Sequence, residues 1–218
     1  MGFLGLCLLL AADDSADSLA KKMLPIYEKE IAEYSLAVES APKKKLELKK
    51  EPVFAWSNPV RSGVQQGVVF LWLRDGRPAA LGCIFSQPRL RPKGRLIIHE
   101  FHALDGEKLL VSRPNALNEW TPQAGLKRKE LPDAGTPAAA AGARLVQMRR
   151  LAQQFSGHEI DNEGKRWDLR LLPAPLYRYS PAKTGVIDGA LFTLVSNAGT
   201  DPEVLLLIEA RKEGDKLR

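Results

Sequence analysis

The sequence predicts an α+β fold: an extended antiparallel sheet of about eight strands in two meanders, with two helices packed on it. Three observations lead there. Two segments carry apolar residues at helical spacing, and each is followed by short apolar runs bounded by turn residues. Asp-Gly pairs at 75–76 and 105–106 stand between such runs, and Asp-Gly supplies the positive backbone angles of a tight hairpin. Hydrophobic residues make up 44% and charged residues 27% of 218 positions, enough for a real core under an ordinary surface. Neither half obviously closes its own core, so one continuous domain over 13–218 is expected.

The N-terminus carries the compartment signal. Residues 3–12 are an unbroken apolar run, the length of a signal-peptide core and too short to span a bilayer. Asp13 and Asp14 end it abruptly, so residues 1–12 read as a signal peptide and the mature chain as extracytoplasmic, secreted or periplasmic. No Lys or Arg precedes the run, and Leu10 stands three positions before a cut after Ala12, which count against it. The alternative is an N-terminal helix or strand that joins the core. Leu6 before Cys7 argues against a lipoprotein, and the same residue breaks the myristoylation pattern. Cys7 and Cys83 are the only cysteines. Without the leader Cys83 is alone, which excludes an internal disulfide and a four-cysteine zinc site. It reads as a small buried hydrophobe.

Along the chain, Leu19, Met23, Ile26, Ile31, Tyr34 and Val38 recur at helical spacing, and Pro25 places the firm helix at about 24–40. Pro42 and the lysine run end it. Strands follow at 52–56 and in the hairpin 67–86, which turns at Asp75-Gly76. A second hairpin, 94–104 with 108–112, is expected at Asp105-Gly106. Residues 113–135 read as a long surface loop. Residues 136–155 form the second helix, with Thr136 as cap, Pro137 in its first turn, and Leu145, Met148, Leu151 and Phe155 as its buried stripe. Strands at 166–172, 175–179, 189–196 and 203–211 complete the second meander. Each half thus reads as a helix followed by a meander, but aligning the two matches hydrophobicity and little else.

Candidate chemistry is sparse. In "LIIHEFHAL" the two histidines are three apart on an apolar strand, so His99 and His102 point to opposite faces and cannot hold one ion; no metal is expected. Glu100 and His102 share a face and are a candidate acid–base pair, against the plainer reading of a solvated strand face. Asp188 and Glu209 are carboxylates inside apolar runs, as catalytic acids often are. Asp188-Gly189 is also a turn dipeptide, and Glu209 stands where a strand can leave the core. Tyr177, Arg178 and Tyr179 put aromatic faces beside a guanidinium, an arrangement that binds sugars, bases or anions and that antiparallel sheets also use for cross-strand pairs. Lys43, Lys44, Lys45, Lys49 and Lys50 hold much of the net charge of +6. Such a run binds polyanions or, more commonly, is a solvated face or linker.

The stretch "RWDLRLLPAPLYRYS" (166–180), with the two apolar hairpins, resembles an uncharacterised group of bacterial secreted proteins. That resemblance implies export and brings no activity or site residues. No phosphate loop, dinucleotide fingerprint or nucleophile elbow is present, so no cofactor is expected. The leading functional reading is a non-enzymatic extracytoplasmic module that binds a ligand or a partner, such as a protein or an envelope component. It would bind through the sheet face or the 113–135 loop, without specific nucleic-acid recognition and without a transmembrane span in the mature chain. The alternatives are a hydrolase or lyase using Glu100, His102 and Asp188, and a weak polyanion binder.

Overall fold

A computed structural model describes residues 16–58, 64–89, 91, 94–114, 120–131, 133–197, 199–214 and 216–218; the leader and Cys7 lie outside them. It overturns the single extended sheet. The chain is mostly β, 49% strand against 16% helix, in separate sheets of three, five and six strands.

Helix α1 spans Ala16–Ala32 and runs through Pro25. Pro25 and Lys21 are on the exposed side, where water can serve the Lys21 carbonyl that loses its donor. Met23, Tyr27 and Ile31, four apart, form its buried stripe, while Ile26 is exposed. The helix stops short of residue 40. Ser35–Val38 is strand β1, where Leu36, Ala37 and Val38 are all buried, a continuous run that suits a strand covered on both faces rather than one helix stripe. Ala41–Lys45 is β2, hydrogen-bonded antiparallel to β1, so the first lysines lie on a strand and not in a linker. Short β3 (Glu47–Leu48) and β4 (Phe54–Asn58) follow.

Strands β5 (Gln65–Arg74) and β6 (Arg77–Arg89) form the long hairpin. Asp75 and Gly76 both have positive φ, 49° and 86°, as a two-residue hairpin turn requires. Pro78 sits beside the turn, opposite Leu73, where the register shifts. Strand β7 (Gly94–Ala103) pairs with β6. The second expected hairpin does not form: β8 (Leu109–Ser112) pairs with β1 instead. The reason is local. Neither Asp105 nor Gly106 has positive φ. The buried Asp105 carboxylate accepts the Glu107 N–H (2.9 Å) and an Arg74 guanidinium hydrogen (3.1 Å), which turns the chain off the sheet.

Helix α2 spans Ala141–Ala152, five residues later than Thr136, with Ala140 at its N-cap and no side-chain cap. Its own side chains hold residues 134–139 outside the helix. Arg144 donates to the Ala138 and Ala139 carbonyls, and Gln147 bonds the Ala134 and Thr136 carbonyls and the Ala138 N–H. Met148 and Ala152 are its buried residues; Phe155 lies beyond its end and is exposed. Then come β9 (His158–Ile160), β10 (Arg166–Leu171), β11 (Tyr177–Tyr179), β12 (Val186–Ser196), β13 (Pro202–Glu213) and β14 (Lys216–Leu217). The sheet order is β14-β13-β12-β10-β9, with β11 also on β12.

Alternation along β5 sets the layers. Val68, Phe70 and Trp72 face a core made with Met23, Tyr27 and Ile31 of α1 and with Leu36, Val38 and Leu109 of the small sheet. Val69, Leu71 and Leu73 face the other way, onto Leu191 and Val195 of β12 with Leu172 and Leu176. The far side of β12–β13 carries Ala190, Phe192 and Ile208 against Met148 and Ala152 of α2. Four layers result: α1 with the three-stranded sheet, the five-stranded sheet, the six-stranded sheet, then α2. Among the described residues no helix is long and apolar enough to cross a membrane.

Candidate functional site

On β7 the alternation separates the two histidines. His99 and Phe101 face α1, where Tyr34 Oη lies 2.7 Å from His99 Nδ1, and Arg113 holds Glu30 and Glu33 beside it. Burial and the Arg113 charge lower the His99 pKa against the pull of Glu30 and Glu33. Glu100 and His102 meet on the other face, 2.9 Å apart and well exposed. Asp188 is not with them. It lies on β12, on the α2 side of the six-stranded sheet, so that sheet stands between Asp188 and the Glu100–His102 pair. Among the described residues no group of His, Cys, Asp and Glu has the geometry to hold a metal ion.

Asp188 is not in a turn. It is inside β12 with 1% of its side chain exposed, between two guanidinium groups. Arg144 Nε donates to Oδ2 (3.0 Å); Arg178 donates through Nε to Oδ1 (2.9 Å) and Nη2 to Oδ2 (2.7 Å). Burial pushes this carboxyl up, but the hydrogen bonds and charges of Arg178 and Arg144 outweigh it and hold the pKa below the usual range. Glu209 repeats the pattern on the opposite face of the same sheet. It accepts from Arg77 Nε (2.6 Å), Tyr179 Oη (2.8 Å) and Arg211 Nη1 (2.9 Å). Burial again raises its pKa, and the Arg77 charge with those three bonds lowers it further. Each embedded carboxylate therefore neutralises one of two arginines and leaves one positive charge over.

The Tyr177–Arg178–Tyr179 stretch is absorbed by these contacts. Tyr177 and Tyr179 stack on one face, ring centroids 6.2 Å apart, but Tyr179 is buried on Glu209 and Arg178 is spent on Asp188. The lysines are dispersed: Lys44 pairs with Asp75 (2.9 Å), and Lys49 leans toward the Tyr177 ring, 5.9 Å from its centroid. Cys83 is buried and free, accepts the Trp56 indole N–H at 3.1 Å, and burial pushes its thiol up to about 12. That environment keeps it an inert thiol.

A concavity with an excess of cationic side chains lies elsewhere. A cleft of about 610 Å³ opens between α2, the end of β13 with β14, and residues 126–131 and 134–137. Seven cationic side chains and three carboxylates line it among the described residues, over an apolar floor that includes Met148, Leu151 and Ile208. Arg77, Arg211 and Glu209 form its inner wall and also line an adjoining cavity of about 440 Å³. At its mouth Lys127, Arg128 and Lys129 follow one another in the 113–135 segment. Arg128 reaches Glu213 (3.1 Å), and Arg218 bonds Glu130. At the opposite end of the two sheets a cavity of about 340 Å³ is lined by Trp56, Phe85 and four carboxylates.

An excess of cationic side chains over low-dielectric walls focuses the field and favours anions over cations. Sequence reading singled out both embedded carboxylates and missed their partners. Arg211 was within reach, two residues from Glu209 and hence on its strand face. Arg77 and Arg144 come from the start of β6 and from α2, far away in the chain, and no local pattern announces such pairings. In comparisons with known proteins, no family model, curated protein or solved structure matches the chain.

Proposed function

We propose that this protein is a non-enzymatic binding module that works outside the cytoplasm and holds an anionic ligand in the cleft between α2, β13 and residues 126–131 and 134–137. The observation that carries the reading is the excess of cationic over acidic side chains around an apolar floor in a cleft of about 610 Å³, within the range of small-molecule sites. Export rests on the apolar run at 3–12 and on the resemblance to secreted proteins. The test pairs N-terminal sequencing of protein from its native host, expected to begin after Ala12, with titration of the anionic dye 1-anilinonaphthalene-8-sulfonate. Lys127→Glu with Lys129→Glu, both on the exposed mouth of the cleft, is expected to weaken dye binding about tenfold, or roughly 1.4 kcal/mol. Unchanged affinity in that variant removes the cleft as the site, and an intact Met1 in the cytoplasmic fraction removes export.

A further inference from the structure

We infer that the ligand of this cleft is a single-tailed amphiphile: one aliphatic chain ending in a carboxylate or phosphate. The inference rests on the reading of the cleft as an anion site and adds what the rest of its lining requires. Cationic groups alone suit any anion. Here they stand beside an apolar surface that the protein leaves open. Leu131 and Leu217 both line the cleft and are among the large hydrophobic side chains exposed to solvent. Deeper in, Leu151 continues that surface to Met148 and Ile208 between α2 and β13. Methionine adapts its shape readily to an aliphatic partner. Gln147, the uncharged polar side chain that α2 adds to the lining, is already spent on the backbone of residues 134–138. The floor therefore selects for methylenes and not for hydroxyls or amides.

Among the described residues, the cationic side chains of the lining outnumber its carboxylates seven to three. Arg77 and Arg211 share the single carboxylate of Glu209, which leaves a net positive charge at the inner wall. Arg211 Nε has no hydrogen-bond partner among the described residues. Lys127, Arg128 and Lys129 add charge at the mouth. An anionic head between these groups places its tail along the Leu151–Ile208 floor.

Calorimetric titration below micellar concentrations tests this with dodecanoate, dodecyl phosphate, butyrate, inorganic phosphate and dodecyltrimethylammonium. Each buried methylene strengthens binding by a few-fold. The long-chain anions are therefore expected to bind about tenfold or more tighter than their short counterparts, and dodecyltrimethylammonium about tenfold weaker than dodecanoate. The stronger of dodecanoate and dodecyl phosphate identifies the head. Leu131→Asp with Leu217→Asp, both at exposed positions, is expected to abolish the chain-length preference. If butyrate or phosphate binds as tightly as its long-chain partner, and binding still falls in the Lys127→Glu, Lys129→Glu variant, the amphiphile is wrong and the anion cleft stands. If the long-chain anions bind and that variant binds them unchanged, or the ammonium binds equally well, the anion cleft itself is wrong.

Discussion

Asp188 sits between Arg144 and Arg178 with 1% of its side chain exposed, while Asp168 pairs with Arg166 at the surface with 74% exposed. The chemistry of the two pairs is the same and the surroundings differ. Removing Asp188 leaves the Arg144 and Arg178 guanidinium groups facing each other over an emptied, buried carboxylate position, so Asp188→Ala is expected to destabilise by about 3–5 kcal/mol. Asp168→Ala removes a screened, mobile pair and is expected to cost no more than about 1 kcal/mol. Urea melts of the two variants check this, and equal losses would show that Asp188 does not anchor α2 to the sheet. Its turn reading failed for a physical reason: Asp-Gly marks a turn only where the backbone takes positive φ. Gly76 does so, whereas Gly189 pairs with Glu209 in the ladder. The Tyr179 ring packs where a Cβ at 189 would stand, about 2.5 Å away, so that glycine serves close approach.

At the level of elements, β5 was the most legible part of the chain, because unbroken hydrophobicity over Val68 to Leu73 leaves few structures other than a strand covered twice. Phe70→Ala is accordingly expected to cost about 3–5 kcal/mol. Leu46 is not the neutral control that a linker position would offer: it is half-buried against the α1 core, and its N–H donates to the Leu36 carbonyl (2.7 Å). Leu46→Ala should cost about 1 kcal/mol, a fraction of the roughly 1.5–3 kcal/mol of a fully buried leucine, and denaturant melts will rank the two. The same strand pairing alters the lysine run. With Lys44 on Asp75 and Lys49 toward Tyr177, Lys43, Lys45 and Lys50 remain to neutralise phosphates. The log–log salt slope for polyanion binding should be no steeper than about −3. A steeper slope would mean that the five act together. Strand β8 was legible as a strand and not as a partner of β1, since pairing across some seventy residues leaves no mark in either segment.

Across the whole molecule, titration couples the two faces. His99 has its pKa lowered from 6.5, and Asp188 and Glu209 from 3.8 and 4.5. A group depressed on folding adds stability that is complete above its unfolded pKa and is lost as pH falls through the folded value. Stability should therefore decline first below about 6.5, through His99, and again below about 4.5, through the two carboxylates. Melting temperatures from pH 8 to 3 will show both steps, and His99→Gln should erase the first alone; a melting temperature that holds or rises on acidification contradicts the assignment. The candidate site was the least legible feature, since its lining joins the first arginine of β6, a helix arginine and the end of β13, and only the lysine–arginine–lysine triplet at 127–129 stands in one place. Finally, the layered order has a cost in time. The ribosome completes the five-stranded sheet at Ala103, yet the side of it that bears Val69, Leu71, Leu73 and Leu81 is covered by Leu172, Leu176, Leu191 and Val195, which are synthesised later. Until then the nascent chain presents a sticky face to its neighbours. A chain interrupted in the 113–135 segment is a remnant prone to aggregate, not a smaller stable protein.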